Sequence, residues 1–143
     1  MLISTKGRYA LRVLTDMAEH GGSEFVPLKE IAQRQEISEK YLESIIKLLV
    51  REGILVGLRG KGGGYRLSKT PDRILVQTIL QITEGSLSPV ACLESGAAPC
   101  ARADTCRTLS LWQGLDQVIR DYLGQFTIAD LMRTDEPGNN YVI

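Results

Sequence analysis

A mainly α-helical fold with one small β-hairpin and a long C-terminal helix follows from three features of the 143-residue chain. Apolar residues recur at helical spacing in three successive segments of the first third of the chain, the second and third only four residues apart. Short strand patterns flank Arg59-Gly60-Lys61-Gly62-Gly63-Gly64, where the period changes. After an aperiodic stretch, an apolar stripe resumes at Thr108 with little left in its own chain to cover it. Three helices followed by a hairpin make a winged helix-turn-helix, and the late stripe makes a dimerisation helix.

From Lys6 to Glu19, the residues Tyr9, Ala10, Val13, Leu14, Met17 and Ala18 mark one face of a helix, and Gly21-Gly22 stops it. Pro27 opens a second helix over Leu28 to Gln33, with Leu28, Ile31 and Ala32 inward. After Arg34-Gln35-Glu36-Ile37, Ser38 is an N-cap ahead of Tyr41, Leu42, Ile45, Ile46, Leu48 and Leu49. The residue three past the cap is Tyr41, so the pattern is a plain cap and not a capping box. Gly53 ends this third helix. Ile54 to Leu58 and Tyr65 to Ser68 read as strands, and the glycines between them permit positive φ and close backbone approach. Pro71-Asp72 leads into a fourth helix marked by Val76, Ile79, Leu80 and Ile82 and ended by Gly85. Residues 86–107 contain Pro89, Gly96, Pro99 and all three cysteines; a loop of this length in a small fold is functional or disordered. Leu109, Trp112, Leu115, Ile119, Tyr122 and Leu123 predict the long helix, from Thr108 to Gln125, and Thr127 caps a short one through Met132.

The expected organisation is a winged helix-turn-helix over residues 1–84 and a cysteine-containing sensor loop over 85–107. A dimerisation helix with a short terminal helix covers 108–132, and a frayed polar tail 133–143. The formal net charge is zero, but it is unevenly spread. Residues 1–80 hold 13 Lys and Arg against 9 Asp and Glu, a net of +4, and residues 81–143 hold 4 against 8, a net of −4. That polarity suits a basic nucleic-acid-facing half and an acidic remainder. No stretch approaches the roughly 18 apolar residues of a membrane span, and the first six residues lack the apolar core of a signal peptide, so the expected location is cytoplasmic, off the membrane. No motif pairs a nucleophile with a base or two carboxylates, so an enzyme is the least expected class.

The third helix is the natural reader of DNA. With its apolar stripe inward, Glu39, Lys40, Glu43, Ser44 and Lys47 face out toward a major groove. Lys40 and Lys47 suit phosphates, while Ser44 and Glu43 suit base edges, Glu43 by accepting from a cytosine amino group. A solvated helix face of mixed charge is the competing reading. The hairpin tip favours the first, because Arg59 and Lys61 flank a backbone bare enough to approach phosphates or enter a minor groove. The same glycines lack the Gly-Lys-Ser/Thr ending of a nucleotide-binding P-loop and lead into a strand.

Ser4-Thr5-Lys6-Gly7-Arg8-Tyr9-Ala10, Ile37-Ser38-Glu39-Lys40-Tyr41-Leu42-Glu43 and Arg59-Gly60-Lys61-Gly62-Gly63-Gly64-Tyr65, in that order, resemble the IscR/NsrR/CymR family of winged-helix transcription regulators. The resemblance runs from Met1 to about Met132. It implies a homodimer on double-stranded DNA whose long helix crosses that of its partner. By the same resemblance Tyr41, Glu43 and the wing from Arg59 to Gly62 fall where the family contacts its operator, with Ser4 to Tyr9 near the phosphates; Ser38, at the start of the reading helix, is counted with these DNA-binding candidates.

Cys92, Cys100 and Cys106 supply three thiols on one loop, a soft set suited to an iron–sulfur cluster or zinc. Neither number nor spacing matches a four-cysteine zinc site. In cluster-binding members of the family three loop cysteines hold the cluster, and these three resemble them, with two extra residues between the first pair. The resemblance implies [2Fe–2S], with [4Fe–4S] the alternative. The fourth ligand is unknown: where members carry a histidine stands Leu109, and where members carry an acidic residue stands Arg8. An open site, a substitute such as Asp104 or Glu94, or no cluster are the remaining options. His20, the one histidine, reads as a helix-dipole partner at the end of the first helix. Reversible disulfide formation is the rival account of the cysteines, and incidental placement the bland one. The expected function is a DNA-binding repressor modulated through the cysteine loop; docking onto a metabolic enzyme is the alternative.

Overall fold

The structure is a computed structural model and describes residues 2–133. The tail expected over 133–143 lies outside the described residues except for Arg133. Helix α1 (Thr5–His20) starts at Ser4, whose hydroxyl accepts a hydrogen bond from the Gly7 N–H, and buries Ala10, Val13, Leu14 and Met17. Helix α2 (Leu28–Gln35) ends at Glu36, which adopts the left-handed conformation at φ 54°. The N–H of Ile37 then returns to the Ala32 carbonyl at 3.1 Å, which closes the turn into α3.

Helix α3 (Glu39–Arg51) is capped as the sequence predicts: the Ser38 hydroxyl accepts from the Tyr41 N–H at 3.2 Å. Its inward stripe of Leu42, Ile45, Ile46 and Leu49 is fully buried. Asp16 is the one buried charged residue among those described. It receives Arg34 through Nε at 2.9 Å and Nη2 at 2.8 Å, and Gln35 through Nε2 at 3.0 Å, tying α1 to the end of α2. The hydrogen bond to Asp16 raises the Arg34 pKa above its ordinary value.

Strands β1 (Leu55–Leu58) and β2 (Gly64–Leu67) pair antiparallel, Leu55 with Leu67 and Leu58 with Gly64. The hairpin is pinned near its tip end, at the second strand pair, by a bridge the sequence does not announce. Val26 and Tyr65 exchange backbone hydrogen bonds of 2.8 and 2.9 Å, so Val26, two residues before α2, adds a one-residue third strand beside β2. Gly64, at φ 149°, is the residue that permits this: a Cβ there would overlap the backbone of Val26 and Pro27.

A 3₁₀ turn at Pro71–Arg73 leads to α4 (Val76–Glu84), and another at Ala91–Leu93 interrupts the long connection to α5 (Leu109–Leu123). Helix α6 (Ile128–Leu131) begins with a capping box in which Thr127 and Asp130 exchange side-chain and backbone bonds. Backbone bonds from Val76 to Phe126 and from Ile128 to Ile74 carry α6 back to the main core, where Ile128 is fully buried beside α1 residues. Among the described residues no helix is long and apolar enough to cross a membrane.

Candidate nucleic-acid interface and cysteine loop

Because the buried stripe of α3 faces the core, Glu39, Lys40, Glu43, Ser44 and Lys47 all stand exposed on its other side. Glu43 and Lys47 form an ion pair of 3.2 Å one turn apart. Both are exposed, so the pair contributes only about 0.5 kcal/mol and parts readily for another partner. The Ser44 hydroxyl donates to the Tyr41 carbonyl at 2.7 Å and retains its lone pairs as acceptors. Tyr41 is half-buried, with its ring 5.8 Å from that of Tyr9 in an edge-to-face arrangement at 73°. The Arg12 guanidinium lies 4.9 Å over the Tyr9 ring, so the opening of α3 is held to α1 by an aromatic and cationic stack.

Arg59, Gly60, Lys61 and Gly62 are exposed at the hairpin tip. Between the hairpin and α3 runs a cleft of about 880 Å³ bordered by the cations Lys29, Lys47, Arg51 and Arg59, with Glu39 the one acid among its lining residues. Pro27 gives α2 no side-chain cap, and Pro27, Leu28 and Lys29 line the cleft, so the positive end of that helix opens onto it. Sequence reasoning missed Lys29 and Arg51. Lys29 is the second residue after a helix-opening proline, a signal that was there to use; Arg51 belongs to the same face as Lys47 only once the hairpin folds beside it.

The cysteines are arranged differently. Cys92, Cys100 and Cys106 are all exposed, as are Glu94 and Asp104. Among the described residues no three His, Cys, Asp or Glu side chains come together as a metal-binding group. The donor set fits an iron–sulfur cluster in kind, three accessible thiols on one connection, but the loop has to draw in before they share one metal. Leu109 opens α5, and Arg8 donates to the Thr5 hydroxyl at 3.1 Å; neither is a ligand type. The His20 Nδ1 bonds the Asp16 carbonyl at 2.9 Å, at the carboxyl end of α1. Cys106 stands apart from the other two thiols. Its Sγ is 3.5 Å from the Thr108 hydroxyl, and this bond, with the Thr108 backbone, holds the thiol below its ordinary pKa.

Helix α5 buries none of its residues completely among those described. Leu111, Leu115, Val118 and Tyr122 remain exposed along one side.

The family described as Rrf2, iron-dependent transcriptional regulator, matches residues 3–134. The transcriptional regulator IscR of Erwinia tasmaniensis is 36% identical over 136 residues, 95% of this chain and 81% of that protein. Among solved structures, IscR of T. potens has a TM-score of 0.74 at 32% identity, covering 99% of this chain and 93% of that one. CymR, the global cysteine regulator of B. subtilis, has a TM-score of 0.73 at 34% identity, covering 92% and 95%. The winged-helix architecture predicted from the sequence is the one these chains share, and the relatives are regulators and not enzymes.

Proposed function

The chain belongs to the Rrf2 family of transcriptional regulators, and from that starting point we propose that it represses transcription as a homodimer on a two-fold symmetric DNA site. The observation that carries this reading is the cation-bordered cleft between α3 and the hairpin. Beside it, on the exposed side of α3, Glu43 and Ser44 meet base edges in the major groove, with Glu39 and Lys40 at the start of the helix. Ser38 and Tyr41 fix the depth of that entry, while Lys47, Arg59 and Lys61, with Gly60 and Gly62 allowing close approach, meet phosphates or the minor groove. Lys29 and Arg51 extend the same phosphate track. A second copy doubles the reading heads, which supports a palindromic operator.

Binding of a labelled operator duplex across a salt series tests the reading. Each phosphate contact adds about 0.9 to the slope of log affinity against log salt. Arg59→Ala with Lys61→Ala is expected to lower the slope by about two units; an unchanged slope and affinity would reject the interface.

Cys92, Cys100 and Cys106 are the residues that would hold an iron–sulfur cluster, which when bound supplies iron centres sensitive to oxygen, nitric oxide and iron supply. The chain's own part is to bring three exposed thiolates together, which orders the connection between α4 and α5. Visible absorption and iron content of anaerobically isolated protein test this, and a colourless, iron-free dimer with full operator affinity rejects it. A direct thiol switch is the second reading, favoured by the lowered pKa of Cys106. Two loop thiols would lose two electrons and two protons to a peroxide, giving a disulfide and water.

A further inference from the structure

Between α1, the last turn of α2 and α6 lies a second cavity, of about 580 Å³, which shares no lining residue with the cleft beside α3. Its size is that of a small-molecule site. A chain of bonded polar groups forms its floor. Arg34 and Gln35 both donate to the buried Asp16 carboxylate, and Gln35 Oε1 in turn accepts from Arg12 Nε at 3.2 Å. Arg34 thereby cancels the charge of Asp16 at the base of the cavity. Arg12 ends the chain without a countercharge. Its Nη2 donates to the Gln35 backbone carbonyl and its guanidinium lies 4.9 Å over the Tyr9 ring, so neutral groups and an aromatic face hold it in place. Among the described residues it forms no ion pair. With Asp16 matched by Arg34 and His20 neutral, the lining charges left over are those of Arg12, Arg133 and Glu19, one positive charge in excess. Glu19 already accepts from the Arg133 backbone N–H at 3.3 Å. Leu11 and Leu131 give the cavity an apolar wall, and Leu131 is 40% exposed.

We propose that this cavity binds a small organic acid, its carboxylate on the unused N–H groups of Arg12 and its apolar tail against Leu11 and Leu131. A guanidinium carries more donors than the Nε–H and the one Nη2–H engaged here, and its planar fork matches a carboxylate. The contacts to Gln35 and Tyr9 fix that fork before the acid arrives, so little freedom is lost on binding. A neutral ligand would leave Arg12 without a countercharge, and a ligand of several negative charges would meet the Glu19 carboxylate. The bound acid rests against Arg12 and Gln35, at the turn that leads from α2 into the reading helix. The site is separate from the DNA interface and stands or falls independently of the operator and homodimer readings.

Isothermal titration calorimetry of the full-length protein with isocaproate, a branched monocarboxylate, tests the assignment. Saturable binding of roughly millimolar affinity or tighter is expected, the scale a ligand of so few atoms reaches. Isocaproamide, which lacks the charge, and acetate, which lacks the tail, should each bind about tenfold more weakly or worse. Arg12→Gln, which keeps a donor and loses the charge, should weaken isocaproate by about tenfold or more, and Arg12→Lys by less, since the charge survives without the fork. Leu131→Glu places a further carboxylate beside the site at an exposed position and should weaken isocaproate by a similar factor, while Leu131→Met should not. Circular dichroism reports whether each variant folds, and if one does not the other decides. Wild-type protein that gives no saturable heat, or that binds isocaproamide as well as isocaproate, overturns the site. So does isocaproate binding that survives unchanged in folded Arg12→Gln or in folded Leu131→Glu. If isocaproate fails to bind and Arg12→Gln instead lowers the salt slope of operator binding by about one unit, Arg12 is a phosphate contact and the cavity has no acid to hold.

Discussion

The Glu84 carboxylate accepts two hydrogen bonds from Ser4, one from the backbone N–H at 3.1 Å and one from the hydroxyl at 2.6 Å, across 80 residues of sequence. The same hydroxyl caps α1, so the last residue of α4 secures the first turn of α1 through its capping group. A negative charge at that helix end also suits the helix dipole. Gly7 fits this contact because a Cβ there would overlap the carboxylate. Gly85 follows directly and opens the cysteine connection, so the root of the loop and the turn bearing Lys6 and Arg8 are joined by one side chain.

Replacing Glu84 with Ala is therefore expected to lower the unfolding free energy by about 1.5–3 kcal/mol, the usual worth of hydrogen bonds to a charged group. Glu84→Gln, which keeps an acceptor, should lose less. Urea denaturation followed by circular dichroism measures both, and an alanine variant as stable as wild type would show that the contact carries no weight.

Asp16→Ala should cost about 3 kcal/mol. The carboxylate is 1% exposed and receives both Arg34 and Gln35, so its loss strands partly buried donors. Arg34→Lys should cost about 1 kcal/mol, since the charge survives and the two-pronged geometry does not. Thermal or urea unfolding of the two variants checks the order; lysine costing more than alanine at 16 contradicts it.

At the wing, Gly64→Ala and Gly62→Ala should behave differently although both glycines have positive φ. Alanine at 62 meets open space and should cost only about 1 kcal/mol of backbone preference. Alanine at 64 collides with the Val26 backbone and should cost about 2–3 kcal/mol, and it should weaken operator binding more because it unpins the hairpin. Equal effects on stability and on binding would mean the Val26–Tyr65 bridge does not set the wing.

Cys106 should alkylate faster than Cys92 or Cys100 near neutral pH, because the Thr108 hydroxyl favours its thiolate. Thr108→Val removes that donor and raises the thiol pKa, so less thiolate is present at a given pH and the rate profile moves to higher pH. Thr108→Ser should restore it. Iodoacetamide labelling resolved by peptide mass spectrometry reads all three cysteines together, and a profile that stays in place in Thr108→Val would count against the assignment.

Much of the fold is written locally. The Ser38 cap, the stripe Leu42, Ile45, Ile46 and Leu49, the hairpin around Gly60 to Gly64 and the Thr127 cap all appear where periodicity and capping chemistry place them, within one or two residues. The exposure of Glu39, Lys40, Glu43, Ser44 and Lys47 follows from the same helical geometry. The cleft was less legible. Its membership depends on the angle between hairpin and helix, and that angle is set by the Val26–Tyr65 bridge, whose two residues are far apart in sequence.

The amino-acid sequence alone determined the kinds of element, their order and the outward face of the reading helix, because helix and strand periods and caps act over a few residues. Tertiary structure alone decided which distant residues meet: Glu84 with Ser4, Asp16 with Arg34, and Ile128 with the core of the winged helix. Such contacts form only when chain closure brings groups together in a water-poor interior, where a charge must find its partner and an apolar side chain its neighbours, and no local pattern encodes that pairing.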